Sequence, residues 1–165
     1  MATIRFKGFD EYEMRLSNLE KNSEGLIGKA IYVGAKVVAD SVKNKIQSLP
    51  AVPESSNIQA YSSGEKSHLS VKQKKGLIDS FGITPMQVDS KGFYNVKIGF
   101  DGYNEIKTKK YPKGQPNQMI ARTLESGSSY MDKIPFMRQA INASRAKAVE
   151  EMKQAVDEEL KEIME

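Results

Sequence analysis

MIARTLESGSSYMDKIPFMRQA, residues Met119–Ala140, is the stretch on which the reading of the fold turns. A short apolar run, Met119-Ile120-Ala121, leads into Leu124-Glu125-Ser126-Gly127. A polar hinge follows from Ser128 to Lys133, and Ile134-Pro135-Phe136 then opens the longest helical pattern in the chain. Pro135 suits a first helical position, where its missing N–H would have found no intrahelical acceptor. Phe136 is placed to anchor the new helix to a core. Glu125 reads as structural, a carboxylate set to accept a backbone N–H or to pair with a basic neighbour near the hinge.

The helix predicted beyond the hinge runs from Pro135 to about Met164. Ile141, Val149, Met152, Val156, Leu160 and Ile163 line one side, and glutamates and aspartates hold most of the other. A helix of nearly thirty residues spans about 45 Å. That exceeds the width of a domain of this size, so part of it is expected to pack on another subunit.

Toward the N-terminus, Ala2–Phe6 alternates Thr3 and Arg5 against Ile4 and Phe6, a first strand that Gly8 interrupts. Asp10 is set to cap a helix carrying Tyr12, Leu16 and Leu19. A second helix is clearer. Ile27, Ile31, Ala35, Val38, Val42, Ile46 and Leu49 recur at intervals of 4, 4, 3, 4, 4 and 3, one apolar stripe that Pro50 ends. Gly25, Gly28 and Gly34 lie within it, where their use would be the close approach of another backbone.

Residues 50–75 are serine-rich and poor in large apolar side chains, with no convincing helix or strand. This segment reads either as a mobile arm ordered in an assembly or as a surface insertion. Lys75–Phe81 suggests one or two helical turns. Ile83–Val88 and Phe93–Phe100 are strand candidates joined by a turn at Ser90-Lys91-Gly92. Met119–Thr123 is a third strand or the start of a short helix. Between lies a basic loop, residues 101–118, where Lys107, Lys109, Lys110 and Lys113 are interleaved with Tyr103 and Tyr111. Such a loop can meet phosphate or stack on bases; it is equally a solvated loop.

The whole suits a single domain, 1–165, of α+β class: a small antiparallel sheet packed against a long N-terminal helix and a long C-terminal helix. Hydrophobic residues make up 39% of the chain, and there is no cysteine, which excludes disulfides and thiolate metal sites. His68 is the only histidine, so no metal site is expected, and no cofactor. Ser126-Gly127-Ser128 is not a nucleophile elbow, and Gly25-x-x-Gly28 lacks the residues of a phosphate loop. An enzyme is therefore not expected. No run is long and apolar enough to span a bilayer, so no membrane partner is expected either, and the chain should be soluble and made in the cytoplasm. Net charge is +4, unevenly spread: four basic and seven acidic residues from Arg145 onward give −3, against +7 for Met1–Ser144. A basic body with an acidic terminal helix suits head-to-tail stacking.

The order of these elements resembles a family of long-tailed bacteriophage morphogenesis proteins, the small head–tail joining or tail-completion proteins of the neck. The resemblance lies in Gly76-Leu77-Ile78-Asp79-Ser80, Ile98-Gly99-Phe100, the hinge residues Ala121, Leu124, Glu125 and Gly127, and Pro135-Phe136-Met137-Arg138 with Ala140. Ser126 departs from it, the position after Glu125 often being aromatic in the family, and so does the length of the 50–75 segment. The resemblance implies a non-catalytic structural subunit of a ring, commonly a hexamer, in the tail or neck of the virion. Its partners would be copies of itself and tail tube, terminator or connector proteins. Lys107, Lys109, Lys110 and Lys113 would face genomic DNA in the lumen or a neighbouring ring. The alternative is a nucleic-acid-binding protein acting through that basic loop.

Overall fold

Among residues 9–164, which the computed structural model describes, two long antiparallel helices form the frame on which everything else is carried. In chain order the elements are α1 (Phe9–Ser48), α2 (Glu54–Ser63), α3 (Val71–Ser80), β1 (Phe81–Ile83), β2 (Gln87–Val88), β3 (Tyr94–Asn95), β4 (Ile98–Phe100), α4 (Asn117–Ser126) and α5 (Met137–Met164). The class is α+β, with a small antiparallel β region against a long N-terminal and a long C-terminal helix.

The two N-terminal helices expected from the sequence are one. α1 runs through Asp10 and on to Ser48, 40 residues or about 60 Å. The glycines at 25 and 28 do not break it, because a helical glycine weakens a helix by only about 1 kcal/mol relative to alanine. The strand expected at Ala2–Phe6 lies outside the described residues. Of the predicted stripe, Ala35, Val42, Ile46 and Leu49 are buried.

α5 lies antiparallel along α1. The Ser41 hydroxyl donates to the Ala140 carbonyl at 3.1 Å near one end, and Lys29 pairs with Glu159 toward the other. The seam between them is made of small residues. Ala30, Gly34 and Ala35 of α1 meet Ala140, Ser144, Ala148 and Ala155 of α5, all buried. Small side chains let two helices approach closely, and at Gly34 the space a Cβ would need is taken by Met152. The sequence reading had Gly34 admit a backbone; it chiefly admits this methionine. The same seam divides the stripe predicted for α5. Its length is matched by α1 of its own chain, and Met152, Val156, Leu160 and Ile163 are half-buried while Ile141 and Val149 are 41% and 46% exposed.

The β region is one interrupted hairpin. β1 pairs with β4 (Phe81↔Phe100, Gly82↔Gly99, Ile83↔Ile98), and β2 pairs with β3. Pro85, which has no N–H to donate, falls in the gap between β1 and β2. The predicted turn is present. The Asp89 carboxylate accepts the N–H of Lys91 and of Phe93, both at 2.9 Å, and Gly92 takes a positive φ of 84°. The Tyr32 hydroxyl of α1 accepts the Met86 N–H at 2.8 Å and ties the hairpin to the frame.

Residues 50–75 are not structureless. α2 occupies Glu54–Ser63, with Glu54 in its first turn and Gly64 in the left-handed conformation at its end. The first turn of α3 follows, closed by a capping box in which the Ser70 hydroxyl accepts the Gln73 N–H and the Gln73 side chain accepts the Ser70 N–H. No apolar stripe marks α2, which buries only Ala60 and is closed at its C-terminal end by Gly64. Met119–Thr123 is helical, within α4, because Ile120, Ala121 and Leu124 recur at helical spacing and all face the core. That core gathers Val42, Ile46 and Leu49 of α1 with Leu69, Leu77, Phe81, Ile120, Leu124, Met131 and Phe136.

Candidate functional site: the hinge and the basic loop

The hinge is a clasp between α4 and α5. Gly127 ends α4 with φ 77°, donating its N–H to the Thr123 carbonyl at 2.7 Å. A Cβ at Gly127 would stand 3.2 Å from Lys133 Cβ, so the glycine lets the returning chain pass close by. Ser128 and Met131 close the turn through a 2.9 Å backbone bond. The chain then comes back under α4, where the Ile134 N–H donates to the Leu124 carbonyl at 2.7 Å.

Here the carboxylate of Glu125 meets the start of α5. It accepts the N–H groups of Phe136 and Met137, each at 2.9 Å, and of Arg138 at 3.1 Å. These are the orphan donors of a helix N-terminus, where the helix dipole also favours negative charge. Burial pushes the Glu125 carboxyl up. The N–H groups of Met137, Arg138 and Phe136, with the Arg138 charge, outweigh this and hold it below its ordinary range. Pro135 lies one residue before the cap rather than at the first helical position. The Phe136 carbonyl accepts the first helical bond, from the Ala140 N–H at 3.0 Å, so the helix proper begins at Met137. Phe136 itself is fully buried, its ring centroid 6.3 Å from that of Phe100, which in turn lies 5.0 Å from Phe81. Leu124, also fully buried, completes the contact.

The four lysines of the basic loop, Lys107, Lys109, Lys110 and Lys113, are all exposed between β4 and α4. The loop has internal order. The Asn104 N–H donates to the Gln115 carbonyl at 2.9 Å, the Gln115 N–H to Ile106 at 3.1 Å, and Thr108 and Tyr111 exchange backbone bonds. Tyr111 is turned inward, its hydroxyl 3.1 Å from Met119 Sδ, with Lys110 5.5 Å from its ring centroid. Of the two tyrosines read as stacking platforms, Tyr103 is open, at 59% exposure. The hinge and the loop lie at opposite ends of α4 and share no hydrogen bond or ion pair among the described residues. His68 is exposed in the turn after α2, and no cluster of metal-ligating carboxylates and histidine forms among the described residues.

Two cavities went unread in the sequence. One, about 900 Å³, lies between α4 and the β1–β4 ribbon; Glu125 and Arg122 stand at its side. The other, about 520 Å³, is bordered by Ser80, Asn104 and Asn117, each with a buried polar atom lacking a hydrogen-bond partner. Neither has a linear signature, since their walls come from separate segments of the chain brought together by the fold. Compared with protein-family models, curated proteins and solved structures, the chain matches none of them. No helix among the described residues is long and apolar enough to cross a membrane.

Proposed function

We propose that this protein is a non-catalytic structural subunit that assembles with copies of itself into a ring, at the head-proximal end of a phage tail or in the neck. The order of the motifs in the sequence suggests the class. The observation that carries it is where α5 puts its large side chains. Small residues close the seam with α1, so Ile141 and Val149 are left on the outer surface of the helix. Two aliphatic side chains two helical turns apart on one face suit a subunit contact. The hinge supports a structural role too, since both oxygens of Glu125 are engaged by the backbone of α5.

Light scattering of the purified chain tests this reading, with Ile141→Lys/Val149→Lys as the comparison. The expected result is an oligomer that the double substitution reduces to monomer at unchanged thermal stability. A chain that stays monomeric at every concentration and is missing from purified tails would overturn it.

The basic loop favours a second reading, nucleic-acid binding. Its four exposed lysines stand on an ordered loop beside the open ring of Tyr103. In a ring traversed by DNA the two readings are compatible, the loop making sequence-independent phosphate contacts.

A further inference from the structure

Among the described residues the β1–β4 ribbon is a sheet that stops at two strands. In its ladder Asp101 donates to Ser80 and Thr84 donates to Lys97, so the rungs of hydrogen bonds fall at 80/101, 82/99 and 84/97. The alternate residues of an antiparallel strand turn their N–H and C=O outward. On β4 these are Ile98 and Phe100, and no hydrogen bond to their outward backbone groups is made among the described residues. Beside β4, across the groove of about 900 Å³, stands α4 with Gln118, Ala121 and Arg122. An unpaired edge next to an apolar trough is a template for one more strand.

The chain itself carries a segment whose alternation fits this edge. Ala2–Phe6 alternates Thr3 and Arg5 with Ile4 and Phe6. Laid along β4, it would put Ile4 and Phe6 on the side of Ile98 and Phe100, and Thr3 and Arg5 on the side of Gly99. Its own groove is out of reach. Pro85, at the near end of the groove, adjoins Met86, whose N–H is held by the Tyr32 hydroxyl of α1. From Phe9 to Tyr32 the unbroken helix rises about 34 Å. The six residue steps from Thr3 to Phe9 extend at most about 22 Å.

We propose that the groove between α4 and β4 receives the Ala2–Phe6 strand of a second copy of this chain, by strand addition in trans. The proposal rests on the self-assembly reading above and names the contact that would link neighbours.

The absence of cysteine makes the test direct. A Cβ at Gly99 meets nothing within 4 Å, so Gly99→Cys fits. Full-length Gly99→Cys protein is mixed with Arg5→Cys or, for the register two residues away, with Thr3→Cys, and oxidised. The control partner is Ser62→Cys on exposed α2. The expected result is a covalent dimer with Arg5→Cys or Thr3→Cys at several times the control yield. Deleting residues 2–7 should also shift the light-scattering mass downward. An oligomeric chain giving no dimer above control overturns strand addition and leaves self-assembly standing. A monomeric internal disulfide in the Arg5→Cys/Gly99→Cys chain overturns it as well. A monomeric chain that forms no dimer overturns strand addition too, and the self-assembly reading with it when the chain is also missing from purified tails.

Discussion

The carboxylate of Glu125, in the last turn of α4, accepts the backbone N–H of Phe136, eleven residues on, at 2.9 Å, so one helix caps the next. The same carboxylate takes the N–H groups of Met137 and Arg138. Losing an N-cap costs about 0.5–2 kcal/mol, and the partial solvent access of this one screens its charge. Glu125→Ala is expected to destabilise by about 1–2 kcal/mol, which for a chain of this length lowers Tm by roughly 2–8 °C. Glu125→Gln keeps an acceptor oxygen and should lose less. A thermal melt of the three proteins checks the order.

The cap should also be felt in the pH dependence of stability. Burial pushes the Glu125 carboxyl up, but the three N–H groups and Arg138 hold it below the ordinary 4.5. A folded-state value that is depressed means the unfolded chain binds the proton more readily. The stabilisation is therefore full above about pH 4.5 and is lost as pH falls through the folded value. The Tm gap between the parent protein and Glu125→Gln should be constant near neutrality and close progressively below about pH 4.5. A gap unchanged at about pH 3 would mean the charge contributes nothing.

The seam of α1 and α5 gives a coupled pair. Alanine in place of Gly34 would put a Cβ within 2.6 Å of Met152 Cγ, so the methionine must leave its seat. Helix propensity alone would make Gly34→Ala stabilising by about 1 kcal/mol. Displacement of Met152 from its packing is expected to reverse that sign and lower Tm. Adding Met152→Ala removes the clash, so the double variant should be more stable than the sum of its parts predicts. A double-mutant cycle measures the coupling, expected at about 0.5–3 kcal/mol. Additivity would mean that the two residues do not touch.

The elements that could be read from the sequence are those whose large apolar residues set the period. Val42, Ile46 and Leu49 declare α1, and the Asp89–Gly92 turn between two apolar runs declares the hairpin. Glu125 was legible as a structural carboxylate because it sits just before a glycine and a helix start. Where small or polar residues carry the packing, the period of the large ones misses part of it. α5 turns Ala140, Ser144, Ala148 and Ala155 to α1, while the larger Ile141 and Val149 stand outside. α2 has no stripe at all, with Ile58 and Tyr61 71% and 87% exposed, and its one local sign is the Gly64 cap at its end. The groove beside β4 was out of sight because proximity between α4 and the ribbon is set by the core, by Phe100 against Phe136 and Ile120 beneath, and no local pattern encodes it.

The basic loop yields a prediction whose size follows from its charge. If all of Lys107, Lys109, Lys110 and Lys113 meet phosphate, about four counterions leave the DNA on binding. The slope of log affinity against log salt would then be about −3.6 on a duplex. Replacing the four lysines by glutamine should bring that slope near zero and abolish binding at low salt, with Tm unchanged because all four are exposed. Base sequence should make no difference, as phosphate contacts carry none of it. Tyr103 separates duplex from single strand: its exposed ring can stack only on an unpaired base, so Tyr103→Ala should weaken single-strand binding and leave duplex binding as it was. Fluorescence anisotropy with labelled duplex and single-stranded oligonucleotides, over a salt series, measures both. A slope near zero in the parent protein would assign the loop to contacts with protein instead, where the same lysines would meet an acidic neighbour such as the terminal helix of another copy.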